Sequence, residues 1–117
     1  MEKVSYTHHA CQKKLFAIDD ALYAIGGKWK LKIIIAIRDG HIRFNDLQRT
    51  LGISAKMLSQ ELKDLELNGF LERRVHTGTP VVVEYMVTEY SDSLDDILRA
   101  LSDWGENHRD KIKSERS

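Results

Sequence analysis

Cysteine and proline are almost absent from this chain of 117 residues, which contains one of each, Cys11 and Pro80. A single thiol excludes an internal disulfide, and we therefore expect the protein in a reducing compartment, the cytoplasm. One proline and seven glycines leave no proline-rich or glycine-rich linker. The length and the missing linker predict one domain with a single modest core.

Long hydrophobic runs are missing as well. No stretch approaches the roughly 20 apolar residues that span a bilayer, and residues 1–16 lack the apolar centre of a signal peptide. We therefore expect no membrane partner. Apolar residues make up 42% of the chain and charged residues 31%, which is ordinary for a globular protein.

Motifs of catalysis and of metal binding are absent too. The sequence has no phosphate-cradling glycine loop, no nucleophile elbow and no His-Glu-x-x-His segment. His8, His9 and Cys11 lie close together, but they supply three ligands where structural zinc takes four. We therefore predict no catalytic residue, no metal site and no cofactor.

Charge is balanced in total but uneven along the chain. The formal net charge is zero. Residues 28–80 carry ten lysines and arginines against six acidic residues, whereas residues 84–106 carry one arginine against seven acidic residues. A basic middle segment hints at nucleic acid, but chance clustering on solvated helix faces would give the same asymmetry. Charge alone leaves both interpretations open.

Hydrophobic periodicity predicts four helices in the first half of the chain. One runs through residues 15–25 and stops at two glycines, and the next, through 29–37, is apolar almost all round and should be the central helix. Residues 41–44 could form a short strand before a third, short helix at 44–51. Ser54 is a good N-cap for a fourth helix, which Asn68 and Gly69 end.

After Gly69 the period changes to that of β-strands. The runs "FLERRVH" and "VVVEYMVT" are separated by "TGTP", which suits a hairpin loop. Thr88 can cap a last helix, whose apolar stripe reaches Trp104 and continues weakly to Ile112. The order predicts a mainly helical winged helix-turn-helix with about five to six helices and two to three short strands. We expect a flexible arm at 1–10, the domain at 11–108 and a tail at 109–117.

In such folds the second helix of the pair enters the major groove of DNA. If the fourth helix packs through Leu58, Leu62 and Leu65, its opposite face points outward and can reach phosphates or base edges. A polar surface helix on an unrelated small domain is the alternative. On the first interpretation the candidate DNA contacts at these helices are Arg43, Arg49, Ser54, Ala55, Lys56, Ser59, Gln60 and Lys63.

The chain resembles the HxlR-type family of bacterial winged helix-turn-helix transcriptional regulators over about Cys11 to His108. The resemblance lies in "GGKWKLKII", "RFNDLQRTLGIS", "KMLSQELKDLELNGFLERRV", "VEYMVTEYSDSL" and "LSDWG", which occur in the right order and spacing. It implies a homodimer on double-stranded DNA that acts mainly as a repressor, with the hairpin tip (Thr77 and Thr79) against the flanking backbone. It also implies pairing of the first and last helices, for which the candidates are Leu15, Phe16, Leu101, Trp104, His108 and Ile112.

The sequence departs from the family pattern in two places. The family hairpin often has a basic residue just before "VEY", whereas this chain has Val82 there. Some members respond to electrophiles or oxidants through a cysteine near the N-terminus, which makes Cys11 the redox-sensing candidate, although it lies farther from Gly26 than in those members. Cys11 could instead be a small packed hydrophobe.

A protein–protein adaptor that does not touch DNA is the alternative function, and the sequence names no effector.

Overall fold

The computed structural model describes residues 8–116, and these residues form five α-helices, one 3-10 helix and two β-strands. This architecture confirms the predicted winged helix-turn-helix. Among the described residues, no helix combines the length and the apolar character that a membrane crossing requires. In chain order the elements are α1 (His8–Ile25), α2 (Lys30–Arg38), α3 (Phe44–Leu51), α4 (Ala55–Leu67), β1 (Leu71–His76), β2 (Val82–Val87), the 3-10 helix (Glu89–Leu94) and α5 (Asp95–Arg116).

The core forms around α2, as its nearly continuous apolar sequence predicts. Ile33 and Ile34 are fully buried, while Ile35 on the other side of the helix is about half exposed. Leu47 of α3 and Leu58 of α4 pack into the same cluster with no exposed surface. Burial of these side chains is the main stabilising term of the domain, and it fixes α3 and α4 against a common helix.

A glycine turn and a serine cap set the angle between α3 and α4. Gly52 ends α3 with a φ of 68°, in the left-handed region that glycine enters without steric cost. Ser54 begins α4, and its side-chain oxygen accepts a hydrogen bond from the Met57 N–H at 3.2 Å. Both features confirm the sequence prediction, and they fix the direction in which α4 leaves the turn.

The two strands form an antiparallel hairpin from Leu71 paired with Val87 to His76 paired with Val82. The possible third strand at residues 41–44 is absent from the described fold. A single backbone hydrogen bond, from the Tyr85 N–H to the Ile42 carbonyl at 2.8 Å, holds this segment beside β2. One bond is too few to make a ladder, so the sheet has two strands.

Thr88 does not cap a helix with its side chain, contrary to the sequence prediction. Its hydroxyl instead donates a hydrogen bond to the Gly69 carbonyl at 2.5 Å, which joins the end of β2 to the end of α4. The chain then enters the 3-10 helix before α5 begins. The hydrogen bond to a distant carbonyl therefore replaces the helix cap that the local sequence predicts.

Both end helices are longer than the sequence indicated. The first helix begins at His8, so residues 8–10 of the expected flexible arm are helical, while residues 1–7 lie outside the described part. The last helix runs unbroken to Arg116, so residues 109–116 of the expected tail belong to it. Neither segment contains a proline, and Gly105 lies within α5 without ending it.

Arg38 anchors the start of α5 to α2. Its guanidinium donates a hydrogen bond from Nη2 to the Ser91 carbonyl at 2.7 Å, and Nη1 lies 2.6 Å from Asp95 Oδ1. Ser91 is fully buried, and its hydroxyl donates to the Thr88 carbonyl at 2.6 Å. The junction between the hairpin and the last helix is therefore held at several points.

Candidate nucleic-acid interface

The fourth helix separates its residues into a buried face and an exposed face. Leu58, Leu62 and Leu65 are buried in the core. The exposed face, which we call the α4 stripe, projects outward at the spacing of three and four residues that lines up one side of a helix. Its members are Lys56, Ser59, Gln60 and Lys63, all exposed.

The start of α4 adds a weakly positive patch at one end of the α4 stripe. The N–H groups of Ser54, Ala55 and Lys56 precede the first full turn and have no partner within the helix. The positive end of the helix dipole lies there as well, and a phosphate is the ligand that such an end favours. The Ser54 side chain is occupied as an acceptor by its cap bond, although its own hydroxyl proton remains available for donation.

The start of α3 and the hairpin tip enclose a groove of about 550 Å³. Arg43 and Arg49 line it from the helix side, and residues 80–83 line it from the hairpin side. Thr77 and Thr79 lie in the exposed loop just before these hairpin residues. The fold thus brings the candidate contacts to the flanking DNA backbone to one side of the molecule, although they come from two distant parts of the sequence.

Asp46 moderates the positive charge at this groove. Its carboxylate lies 2.8 Å from Nδ1 of His41 and 3.8 Å from Nη2 of Arg49, and the Thr50 hydroxyl donates to it at 3.4 Å. The hydrogen bond with His41 is the main cause that lowers the pKa of Asp46, partial burial opposes it, and the nearby positive charges of His41 and Arg49 lower it further. Asp46 therefore stays ionised, and Arg49 contributes less free charge than its exposure suggests.

An ion-pair network behind the α4 stripe escaped the sequence analysis. Nζ of Lys30, on α2, lies 2.8 Å from Oε2 of Glu61 and 3.7 Å from Oδ2 of Asp64, both on α4. Only 12% of the Lys30 side chain is exposed. The pairs join residues more than 30 positions apart, so no local pattern indicates them.

The hairpin carries little free positive charge, which agrees with the missing basic residue before "VEY". Arg74 pairs with Glu72 at 3.2 Å, and His76 lies 2.6 Å from Glu84. Arg73 is exposed and has no carboxylate partner among residues 8–116. It is a possible backbone contact that the sequence analysis did not name.

The two end helices expose several large apolar side chains, which we together call the end-helix surface. Neither helix buries a single side chain in the described part of the chain. The Trp104 side chain is 66% exposed, and its ring stacks on that of His108 at 4.8 Å. Apolar patches of this kind mark interaction sites. The exposed members are the predicted Leu15, Phe16, Leu101 and Trp104, with Ile18, Leu22 and Tyr23 in addition, and Ile112 is partly buried.

Cys11 lies in the first turn of α1 with its side chain exposed. It is not a packed hydrophobe within the described residues. Among those residues no cluster of three or more histidines, cysteines or carboxylates could hold a metal ion. Whether Cys11 senses oxidants stays a prediction.

Comparison with known proteins gives consistent matches. Residues 24–113 match the HxlR-like helix-turn-helix family. The chain is 37% identical over 113 residues to the HTH-type transcriptional regulator YtcD of Bacillus subtilis (strain 168), an alignment that covers 96% of this chain and 83% of YtcD. A crystal structure of YtcD aligns with a TM-score of 0.76 and 40% identity, over 80% of this chain and 96% of that chain.

Two further solved structures are similar, and both show a transcriptional or redox regulator in its reduced form. The redox regulator HypR in its reduced form aligns with a TM-score of 0.76 and 36% identity, over 84% of this chain and 98% of that chain. The reduced form of the transcriptional regulator YodB from Bacillus subtilis aligns with a TM-score of 0.68 and 35% identity, over 77% of this chain and 89% of that chain.

Proposed function

Because the chain belongs to the HxlR-like helix-turn-helix family of transcriptional regulators, we propose that it is a cytoplasmic, sequence-specific DNA-binding repressor that acts as a homodimer. The observation that carries the proposal is the α4 stripe, four exposed polar side chains on a helix whose other face is buried. The Gly52 turn and the Ser54 cap hold this helix at a fixed angle, so it can enter a major groove as a rigid element. We propose no enzymatic role and no cofactor.

Some residues of the α4 stripe are assigned to base edges and others to phosphates. Lys56 and Gln60 lie near the start of the helix, the part that reaches base edges in such folds, and these residue types pair with guanine and adenine respectively. Ser59 can bond to several bases. Lys63 lies one turn further along and is assigned to a phosphate. The N–H groups at Ser54 and Ala55 take another phosphate.

The groove beside α3 is assigned to the flanking DNA backbone. Arg43 and Arg49 line it from the helix side, and Thr77 and Thr79 lie in the adjacent hairpin loop. Side chains of this kind commonly bond to phosphate oxygens, and such contacts fix the register of a protein on the duplex without reading sequence. The paired carboxylate of Asp46 limits the net charge at this site, so base contacts must supply a larger share of the affinity.

The end-helix surface is assigned to the dimer contact. It lies on the two helices at opposite ends of the chain, and it contains large apolar groups that the fold of one chain leaves uncovered. One recognition helix touches too few bases for useful specificity, so two copies should occupy two half-sites about one helical turn, or a multiple of it, apart. Leu15, Phe16, Leu101, Trp104, His108 and Ile112 remain the candidate contacts.

A response to oxidants or electrophiles through Cys11 is part of the same proposal. Its thiol is exposed in the first turn of α1, where an oxidant or electrophile can reach it. It is the only cysteine of the chain, so a disulfide would join two subunits or a small thiol. HypR, to which the chain is similar, is described as a redox regulator.

Salt dependence of DNA binding tests the proposed function. A protein that neutralises about six phosphates binds roughly 10³-fold more weakly at 200 mM than at 50 mM salt, because the released counterions oppose binding. We expect this fall on a duplex chosen by rounds of selection from random sequence. An adaptor that does not touch DNA would enrich no sequence and would bind no duplex in a salt-dependent way.

Substitutions in the α4 stripe separate base readers from phosphate contacts. Lys56→Ala and Gln60→Ala should each weaken binding to the selected operator by about 1–3 kcal/mol, with smaller effects on unrelated duplexes. Lys63→Ala should weaken all duplexes alike and reduce the salt slope by about one. Fluorescence anisotropy titrations on both duplexes measure this. Unchanged operator affinity in all three variants would show that α4 does not read DNA.

A further inference from the structure

The side-chain amide of Gln60 is held in one orientation by its own helix. Its Nε2 donates a hydrogen bond to Oδ1 of Asp64 at 3.0 Å. An ionised carboxylate only accepts hydrogen bonds, so the amide nitrogen must face Asp64 and the amide oxygen must face away. The flipped orientation would set two acceptor oxygens against each other.

Asp64 is itself held in place from behind. Its second oxygen, Oδ2, faces Nζ of Lys30 at 3.7 Å, so the two carboxylate oxygens serve two different partners. Lys30 is also fixed, because its Nζ lies 2.8 Å from Glu61 and its side chain is only 12% exposed. A chain of contacts therefore runs from α2 through Lys30 and Asp64 to Gln60 on the exposed stripe.

The groups that Gln60 still presents form a specific pattern. The bond to Asp64 uses one N–H, which leaves the amide oxygen and a second N–H exposed. An acceptor next to a donor is complementary to the N6 donor and N7 acceptor of adenine in the major groove. A glutamine without such a partner would have to lose its rotamer and flip freedom on binding.

We propose that Asp64 is a positioning residue that presets Gln60 to read adenine. The inference rests on the proposed DNA-binding function, and it concerns sequence discrimination rather than affinity alone. Asp64 itself carries a negative charge near the DNA, so it opposes binding to phosphates in general.

The test measures discrimination between adenine and guanine on the full-length protein. Rounds of selection from random duplexes give the operator, and Gln60→Ala identifies the base pair at which preference disappears. Discrimination is then the ratio of Kd values for G·C and A·T at that position, expected to be on the order of ten- to a hundredfold for the wild type. Asp64→Ala should reduce this ratio about three- to tenfold, and Gln60→Ala with Asp64→Ala should match Gln60→Ala alone.

Two variants control for charge and for fold. Glu66→Ala removes an exposed carboxylate from the same helix, so it reproduces the change in net charge and should leave discrimination unchanged. Asp64→Asn keeps an acceptor oxygen beside Gln60 and should retain more discrimination than Asp64→Ala. Thermal unfolding of each variant confirms that the proteins compared are folded.

The outcomes separate this inference from the proposed function. Wild-type discrimination in both Asp64 variants, or an equal loss of affinity for every duplex, would assign Asp64 a structural role and overturn the inference. A Gln60→Ala protein that keeps its preference at every base pair would also overturn it, while DNA binding as such would stand. A wild-type protein that enriches no sequence would remove the proposed function and the inference together.

Discussion

Replacing Leu101 and Trp104 together by glutamate is expected to give a monomer that binds its operator about 10²- to 10⁴-fold more weakly than the wild type. Both side chains are largely exposed, 51% and 66% respectively, so the substitution removes nothing from the core of the single chain. In a dimer the same positions would place four charges in a desolvated apolar contact. A monomer binds the operator through one recognition helix, so it lacks the increase in affinity that two linked helices give.

Arg99→Glu is the matched control for this experiment. It changes the net charge by the same amount, and it lies on the same helix about 200° around the axis from Leu101 at 100° per residue. Arg99 is exposed and pairs only with the neighbouring Asp96 in the described residues. Sedimentation velocity gives the mass of each protein, and titration with one duplex gives its affinity. A glutamate double variant that stays dimeric would remove the end-helix surface from the proposed dimer contact.

Leu62→Ala is expected to lower the free energy of unfolding by about 2–5 kcal/mol, since it removes a buried side chain and leaves a cavity. Leu62 is 2% exposed and lies between Gln60 and Lys63 on α4. Domains of this size are stable by only about 5–15 kcal/mol, so the variant loses a large part of its margin. The same substitution loosens α4 on the core, and operator affinity should fall although no DNA contact is removed.

Leu67→Ala, on the same helix, is the matched control for Leu62→Ala. Leu67 is 76% exposed, and alanine is the better helix former, so this variant should be as stable as the wild type. Urea unfolding at one fixed protein concentration measures both variants, because the stability of a dimer depends on concentration. Equal stability of the two variants would mean that the Leu62 site can collapse without cost and does not anchor α4.

The features of this fold that sequence predicts are those with a local cause. The α4 stripe follows from helical spacing, the start of α4 follows from Ser54, and the turn before it follows from Gly52, since each involves residues within one or two turns. The β-hairpin follows in the same way from a change of period. These features are enough to select α4 as the candidate DNA-reading helix.

The features that sequence missed are made by residues far apart in the chain. The contacts of Lys30 with α4 and of Arg38 with Ser91 and Asp95 depend on how helices meet, which no local pattern records. The position of Thr88 before a helix predicts a cap, yet its hydroxyl donates to the carbonyl of Gly69, 19 positions earlier. The exposed α4 stripe could thus be predicted from sequence, whereas the long-range contacts behind it could not.

The contacts of Arg38 with Ser91 and Asp95 hold the start of the last helix against α2. With 22 residues, α5 is about 33 Å long, and between residues 101 and 116 only Ile112 is partly buried. A rotation of about 5° at the start of the helix would carry the other end about 3 Å, close to the rise of one base pair along DNA. In the proposed dimer, joined through this helix, the angle at which α5 leaves its junction with α2 would therefore affect the distance between the two half-sites that the dimer can bind.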